Sequence, residues 1–351
     1  MPMLPVLAID VGAGTQDILL YDPALAPENC AKLVLPSRTR IVGRRIREAT
    51  ANRRPVHLAG TLMGGGDSTD AAREHLAAGL PLSAEPDAAR TLHNDLTRVE
   101  AMGVEIREAP PPEAAVVPTG DVDLAALRAA LEPFGVELPA VVAVAVQDHG
   151  YRPGGASNNE VRFDYLQGLL AGGGDLAGMV YAEPPEGMTR MGAVHRTIPG
   201  VTLMDTGAAA VLGSLGDPVV ARAAATVGAI LVNVGNMHTF ATLVRGRRLY
   251  GLFEGHTGGM TTGLIADLVG RLQAGTLDVA GFRQSFDGHG AALDPAYTDA
   301  GVGPFRFVAV TGPNRALARP LGYHEAAPYG DMMLAGSWGL VEGVRLRFAA
   351  G

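Results

Sequence analysis

The chain has very little cysteine and relatively little charge. Cys30 is the only cysteine among 351 residues, which excludes a disulfide framework and any site built from several thiolates of the chain. Charged residues make up 18% of the sequence and the formal net charge is −8, so we expect no non-specific nucleic-acid binding by the surface as a whole. The hydrophobic content of 47% indicates a well-packed α/β protein rather than a disordered chain.

The sequence also lacks a long apolar run and a leader-like N-terminus. Its longest apolar run, around Val141 to Val146, is far too short to span a bilayer, so we expect no membrane insertion. No basic residues precede the first apolar residues, and Asp10 interrupts them, so we expect no signal peptide and a cytoplasmic location. The length favours two domains, and a homodimer is common for acidic cytoplasmic proteins of this size.

A short pattern near the N-terminus returns in degraded form in the second half of the chain. Both copies predict a strand, a tight turn and a second strand, because apolar β-forming residues flank a polar turn that contains glycine. In the first copy, Gly12 and Gly14 let backbone N–H groups converge on an anion, and Thr15 adds a hydroxyl. Asp10 offers a carboxylate to a hydrated metal ion beside that anion; the alternative is an aspartate that caps its own turn. The copies occupy residues 7–21 and 231–244.

These hairpins resemble the two phosphate-binding loops of the actin, Hsp70 and sugar-kinase superfamily. Four more segments resemble elements of that superfamily in the correct order. They are a connecting helix at 204–213, a Gly-His-Thr-Gly-Gly turn at 255–259, an adenosine-binding strand, turn and helix at 308–315, and a final connecting helix at 330–341. The resemblance implies a two-lobe, actin-like (ribonuclease H-like) α/β fold with a duplicated core and a nucleotide cleft between the lobes.

The same resemblance implies ATP and Mg²⁺ as cofactors, with Asp10 and Asp205 holding the metal. Asp205 has an alternative role as a helix N-cap. The implied lobes are residues 1–204 and 205–335, with a C-terminal helix at 336–351 that packs back toward the first lobe. The implied cofactor contacts are Gly12, Gly14, Thr15, Gln16, Asn233, Gly235, Asn236, His238, Thr239, His256, Gly258, Gly259, Gly312, Asn314 and Arg315.

The segment Gln147-Asp148-His149-Gly150 follows a buried strand predicted at 140–146. Ligands of α/β sheets bind at the ends of such strands, and a similar Gln-x-His-Gly faces the acceptor in carbohydrate kinases. Asp148 or His149 would then be the general base that deprotonates an acceptor held near Gln147. The alternative is a polar strand end that makes turn hydrogen bonds. A nest at Gly64, Gly65 and Gly66 would bind an acidic group of the second substrate; the alternative is a flexible turn.

The second hairpin and the turn after it depart from the superfamily pattern. Asn233 stands where the loop should begin with aspartate, Met237 replaces a glycine, and His256 replaces a second aspartate. Two carboxylates that would surround the metal are therefore missing. His238 and His256 would then contact phosphate directly, or they mark a different anionic ligand.

Several local predictions concern elements around these sites. We expect a helix at 87–102, a helix to Leu131 that Asp121 caps, a helix at 277–286, and an irregular loop from Asp287 to Val302. His195, His289 and His324 are expected to be isolated core or surface histidines. No H-x-x-x-H or H-E-x-x-H pair is present to suggest a metal site.

The whole chain also resembles a bacterial and archaeal family of unknown function that is sometimes labelled pyruvate formate-lyase activating enzyme-like. That activity needs three cysteines on one cluster, so a chain with Cys30 alone is not expected to perform it. The leading prediction is an ATP-dependent phosphotransferase for a small polar or anionic acceptor. The alternatives are an ATP-switched activator or assembly factor with slow ATPase activity and a protein partner, and a non-catalytic binder of a phosphorylated ligand.

Overall fold

The computed structural model describes residues 4–154, 159–282, 289–297 and 305–349. The strands are β1 (Val6–Val11), β2 (Thr15–Tyr21), β3 (Ala31–Pro36), β4 (Val56–Gly60), β5 (Leu82–Ala84), β6 (Glu105–Ile106), β7 (Ala115–Thr119), β8 (Val141–Val146), β9 (Val180–Tyr181), β10 (Thr202–Met204), β11 (Ala229–Val234), β12 (His238–Arg245), β13 (Arg248–His256), β14 (Gly290–Leu293), β15 (Phe307–Thr311) and β16 (His324–Glu325). The helices are α1 (Arg38–Ala51), α2 (Asp67–Ala77), α3 (Pro86–Ala89), α4 (Leu96–Ala101), α5 (Leu124–Leu131), α6 (Asn159–Ala171), α7 (Thr189–Thr197), α8 (Thr206–Ser214), α9 (Pro218–Ala225), α10 (Thr262–Ala274) and α11 (Ala335–Ala349).

The two main sheets share one strand order around their first hairpin. The first sheet runs β3-β2-β1-β8-β10-β9 and the second runs β14-β13-β12-β11-β15-β16. In the first, β1 pairs antiparallel with β2 and parallel with β8. In the second, β11 pairs antiparallel with β12 and parallel with β15. The duplicated α/β core that the two hairpins predicted is therefore confirmed.

Helices α8 and α11 pack together in a core that both main sheets share. Their backbones touch because glycine occupies the contact. A Cβ atom on Gly213 would lie 1.7 Å from the carbonyl oxygen of Ala335, and one on Gly339 would lie 1.8 Å from that of Ala209. No larger residue fits there without moving a backbone. Helix α11 also contacts β1, as expected of the helix predicted to pack back toward the first lobe.

A third, all-parallel sheet is inserted between β3 and β8. Its order is β6-β5-β4-β7, and it has a core of its own with α1 and α2. Val42 and Ile46 of α1 pack there with Val56 and Leu58 of β4. Ser37 begins α1 by accepting a hydrogen bond from the backbone N–H of Arg40. The sequence did not predict that these strands form a separate sheet.

Three local predictions are wrong. The helix expected at 87–102 is two short helices, because Asp95 caps a new start at α4. Helix α5 begins after Asp123, which accepts from the backbone N–H of Ala126, whereas Asp121 is buried in an ion pair. Part of the expected loop from 287 to 302 is strand β14, which pairs with β13. The helix expected at 277–286 extends outside the described residues.

Among the described residues, no single helix is long and apolar enough to cross a membrane. The helices α8 and α9 meet the length and composition criteria only when taken together, across a bend of 91°.

Candidate functional site

A cavity of about 350 Å³ lies between the two lobes, within the range typical of small-molecule sites. Both hairpins, the turn after β15, the end of β8 and the start of α11 line it. Many of the predicted site residues meet there. They are Asp10, Gly12, Thr15, Gly64, Gly65, Gly66, Gln147, His149, Asn233, Gly235, Asn236, His238, His256 and Gly312.

The turns of the two hairpins are closed in the same way and touch each other. The backbone N–H of Gly12 donates to the carbonyl of Thr15 at 2.9 Å, and that of Gly235 donates to the carbonyl of His238 at 2.9 Å. A Cβ atom on Gly14 would lie 2.6 Å from Nδ2 of Asn236, so the first turn lies directly against the side chain of the second. The hairpins therefore form opposing walls of one cavity, as two phosphate-binding loops would.

Two neighbouring carboxylates, Asp10 and Asp17, line the floor of the cavity. Burial raises the pKa of Asp10 well above its ordinary value, and the charges of Asp17 and Asp205 raise it further. Burial also raises the pKa of Asp17 to about 7, against a hydrogen bond from Thr15 that lowers it. Among the described residues, Oδ1 of Asp10 and Oδ1 of Asp17 have no hydrogen-bond partner. Buried carboxylate oxygens without a hydrogen-bond partner favour a nearby cation, and these oxygen ligands fit a hydrated Mg²⁺.

The start of α11 leaves room for the Asp10 carboxylate. A Cβ atom on Gly336 would lie 1.8 Å from Oδ2 of Asp10, so glycine is required where the helix passes the carboxylate. The next residue, Ser337, donates a hydrogen bond from Oγ to the carbonyl of Asp17 at 2.7 Å. The final helix thus forms part of the acidic end of the cavity.

The carboxylate of Asp205 lies behind the cavity rather than on its lining. Its Oδ1 accepts from the backbone N–H of Gly207 at 2.9 Å and from Nη2 of Arg162 at 2.7 Å. Its Oδ2 accepts from the backbone N–H of Asp148 at 3.4 Å, so both oxygens have partners within the protein. The N-cap alternative is therefore observed, and the geometry gives little support to the predicted metal contact. Asp17, which the sequence analysis did not select, is the second free carboxylate beside Asp10.

A buried ion-pair network joins the lobes next to the cavity. Nη1 of Arg162 lies 2.7 Å from Oε2 of Glu254, in addition to its contact with Asp205. Oε1 of Glu254 accepts from Nε2 of Gln147 at 2.6 Å, and Oε1 of Gln147 accepts from the hydroxyl of Thr206 at 3.0 Å. Gln147 is thus held by the opposite lobe. Sequence analysis missed Arg162, which lies in no motif, and gave no role to Glu254, which directly precedes the turn at 255–259.

Asp148 does not face the cavity. Its carboxylate accepts from the backbone N–H of Met191 at 2.8 Å and from that of Gly150 at 2.9 Å, in the manner of a turn and helix cap. The polar strand end with turn hydrogen bonds is therefore observed for Asp148, and its placement does not support a role as general base. Arg190, ion-paired with Asp121 at 2.6 Å, lines the cavity instead.

Four histidines cluster at the end of the cavity near β8. The rings of His149 and His289 stack with centroids 4.5 Å apart, and His238 lies edge-on to both, at 5.4 Å and 4.4 Å. His256 lies 5.1 Å from His238 and 4.5 Å from His289. The prediction that His289 is isolated is wrong. His289 directly precedes β14, and β14 pairs with the β13 strand that ends at His256.

Burial and mutual charge repulsion keep three of these imidazoles neutral. Burial lowers the pKa of His149 well below its ordinary value, and His289 lowers it further. For the same two reasons the pKa of His238 falls to about 2. Burial followed by the charge of His256 lowers the pKa of His289 to about 3. All three rings therefore have an unprotonated nitrogen at neutral pH.

The remaining predicted residues support the cavity walls or lie outside the cavity. Gln16 turns away and donates to the carbonyl of Pro36. The hydroxyl of Thr239 is buried against that of Thr257. Asn314 donates from Nδ2 to the carbonyl of Gly235 at 2.8 Å and so fixes the second hairpin. The others are Arg315, which pairs with Glu325, and the exposed Gly258 and Gly259.

The duplicated sheets and the cleft between them define a two-lobe α/β protein of the actin-like class. The chain belongs to the family described as "Putative pyruvate format-lyase activating enzyme (DUF1786)", whose model matches residues 63–317. The activity in that description depends on an iron–sulfur cluster with cysteine ligands. The residues present do not fit such a cluster, because Cys30 is the only cysteine and is buried.

Several solved structures are similar to this chain at low identity. The ethanolamine utilization protein EutJ from Carboxydothermus hydrogenoformans is 12% identical over 97% of this chain and 91% of its own, with a TM-score of 0.33. The inorganic polyphosphate/ATP-glucomannokinase from Arthrobacter sp. strain KM is 10% identical over 99% of both chains, with a TM-score of 0.33. A chain of the PilM-PilN type IV pilus biogenesis complex is 12% identical over 99% of both chains, with a TM-score of 0.35. No curated protein matches the chain.

Proposed function

We propose that this protein is an ATP-dependent phosphotransferase that binds ATP and Mg²⁺ between its lobes and has a small polar or anionic acceptor. One observation carries the proposal: two hairpin turns with the same closing hydrogen bond meet across one cavity, beside carboxylate oxygens that have no partner among the described residues. When bound, the nucleotide would supply the phosphoryl group and the metal would neutralise phosphate charge.

Residues from both lobes would bind the nucleotide and the metal. Asp10 and Asp17 would hold the hydrated metal from the first lobe. The turns at Gly12 and Gly235 would hold the phosphates from either side, since glycine lets backbone approach closely. The turn at Gly312, on the same cavity, would face the nucleoside. Closing the lobes would exclude water and position the reacting groups.

The acceptor end of the cavity lies at Gln147 and His149. Because Asp148 is occupied as a cap, His149 is the remaining predicted base. Its lowered pKa keeps the imidazole unprotonated and able to accept a proton at neutral pH, although as a weak base. Gly64, Gly65 and Gly66 line the same cavity and would contact the acceptor.

A second candidate function is an ATP-driven switch with slow hydrolysis that a protein partner reads. The neutral side chain of Asn233 and the buried pairing of Glu254 with Arg162 favour it, because both reduce the charge available to a metal. Hydrolysis that rises on addition of a partner protein would support the switch, whereas phosphorylation of a small acceptor without a partner would support the kinase.

Both candidate functions require that ATP binds between the lobes. Calorimetric titration with a non-hydrolysable ATP analogue tests this premise. We expect micromolar binding to the unaltered protein in the presence of Mg²⁺ and about tenfold weaker binding without it. Asp10→Asn should remove the dependence on Mg²⁺, because it removes a charge at the metal. Asp267→Asn is the matched control, since Asp267 lies on α10 in an exposed pair with Arg271. Absence of binding in both conditions would contradict both ATP proposals.

A further inference from the structure

Three histidines of the cluster are close enough to form a metal site. His149 is the only one of them with a role in the phosphotransferase proposal, and in a metal-bound protein it would be a ligand rather than the base. One ring nitrogen from each of His149, His238 and His289 can be chosen so that all three lie within 4.8 Å of one another. Tetrahedral zinc at about 2.1 Å from imidazole nitrogen places its ligands about 3.4 Å apart. Binding one ion requires side-chain rotations, including one that breaks the near-parallel stacking of His149 and His289, because each nitrogen lone pair lies in its ring plane.

Three of the six ring nitrogens of these histidines lack a hydrogen-bond partner among the described residues. Among the described residues, Nδ1 of His149 and both ring nitrogens of His289 are buried without a hydrogen bond, and His289 is only 5% exposed. Nearly all buried polar atoms in folded proteins have a partner, so three such atoms within one cluster require an explanation. A metal ion would satisfy one nitrogen from each ring.

We propose that His149, His238 and His289 bind one divalent first-row transition metal ion at the end of the interlobe cavity. Three imidazoles favour zinc, iron, cobalt, nickel or copper over magnesium, which prefers oxygen ligands. Three protein ligands leave a coordination position open. His149 and His238 line the cavity, so that position faces the space where the acceptor would lie. His256, packed against two of the ligands, is the adjacent imidazole.

The ligands come from both lobes. His149 follows β8 of the first sheet, whereas His238 begins β12 and His289 precedes β14 of the second. A metal bound by all three would therefore join the lobes directly. Any state in which the lobes separate would lose at least one ligand, so metal binding and lobe closure favour each other.

Metal binding by the full chain, freed of any affinity tag and treated with a chelator, tests the proposal without nucleotide. Cobalt(II) is the probe, because its visible absorption reports coordination number and its stoichiometry can be checked by elemental analysis. We expect about one ion per chain, with the spectrum of four or five ligands. His289→Ala and, separately, His238→Ala should each weaken binding by tenfold or more. His195→Ala is the control, because His195 pairs with Glu183 elsewhere.

Each outcome decides the proposal. No cobalt bound by the unaltered protein would overturn it, and so would equal loss in the His195 control or full binding by both cluster variants. Comparing the thermal melting of metal-free variants and unaltered protein separates lost ligands from lost folding. These measurements contain no ATP, so a failure to bind cobalt would not contradict the nucleotide proposal. In the same way, a failure to bind the ATP analogue in the calorimetric titration would not contradict the metal site.

Discussion

Gly14 and Asn236 meet across the cavity between the lobes: a Cβ atom on Gly14 would lie 2.6 Å from Nδ2 of Asn236. The contact joins the turns of the two hairpins and sets how closely the opposing walls approach. The spacing of the hairpins at this contact therefore involves the backbone of Gly14 and the side chain of Asn236, which are remote in sequence.

We expect Gly14→Ala to weaken binding of the ATP analogue about tenfold, or about 1.4 kcal/mol. The added methyl must displace the Asn236 amide and hold the turns apart. Calorimetric titration with Mg²⁺ measures the effect. The double variant Gly14→Ala with Asn236→Ala should recover most of the affinity, since it removes the group that clashes. Unchanged affinity in the single variant would show that hairpin spacing does not control binding.

The close contact between α8 and α11 predicts a large loss of stability on adding a methyl group. Gly213→Ala should lower the free energy of unfolding by about 1–3 kcal/mol or more, because the obstacle at 1.7 Å is the Ala335 carbonyl rather than a movable side chain. Urea unfolding measures it. Gly270→Ala is the matched control on α10, where nothing lies within 4 Å, and it should stabilise by up to about 1 kcal/mol. Equal effects would contradict the packing argument.

Removing the buried guanidinium group of Arg162 between the lobes should strongly destabilise the folded protein. Arg162→Met leaves the carboxylates of Asp205 and Glu254 buried without their partner, for which we expect a loss of about 3–5 kcal/mol in unfolding free energy. The control is Arg271→Met, which breaks an exposed pair on α10 and should cost less than about 1 kcal/mol. A loss at Arg162 no larger than at Arg271 would show that the network contributes little.

The raised pKa of Asp17 has a consequence for stability. In the absence of a divalent cation, we expect the free energy of unfolding to fall as the pH rises. Its pKa is raised from 3.8 to about 7 in the folded protein, so the folded state binds the extra proton. Its contribution is fully present below pH 3.8 and is lost as the pH rises through 7. Asp17→Asn should flatten this slope in urea unfolding at several pH values, although Asp10 and Glu254, whose pKa values are also raised, preserve part of it. A slope unchanged by the substitution would refute this assignment.

The local elements of the fold could be predicted from the sequence, whereas several long-range partnerships could not. The hairpins at Asp10 and Asn233 were predictable because alternating apolar residues around a glycine turn specify them within about fifteen residues. The buried run at Val141 to Val146 located β8, and thereby the end at which Gln147 and His149 meet the cavity.

The features that the sequence did not predict depend on contacts between segments that are distant in the chain. His289 belongs to the cluster only because β14 adds to the edge of β13, and no spacing rule connects it to His149. Arg162 and Glu254 are separate charged residues until α6 and β13 come together. The inserted sheet was missed for the same reason, since its strands pair in parallel across long intervening segments and no local turn marks the pairing.

The glycine at the start of α11 also has a consequence for the order in which the protein matures. Gly336 packs on the carboxylate of Asp10 and the hydroxyl of Ser337 donates to the backbone carbonyl of Asp17, so a segment synthesised about 300 residues after the first hairpin completes the site that the hairpin begins. A ribosome-bound chain that still lacks α11 has the first hairpin without this wall. We therefore expect nascent chains to gain ligand affinity only after α11 emerges from the ribosome.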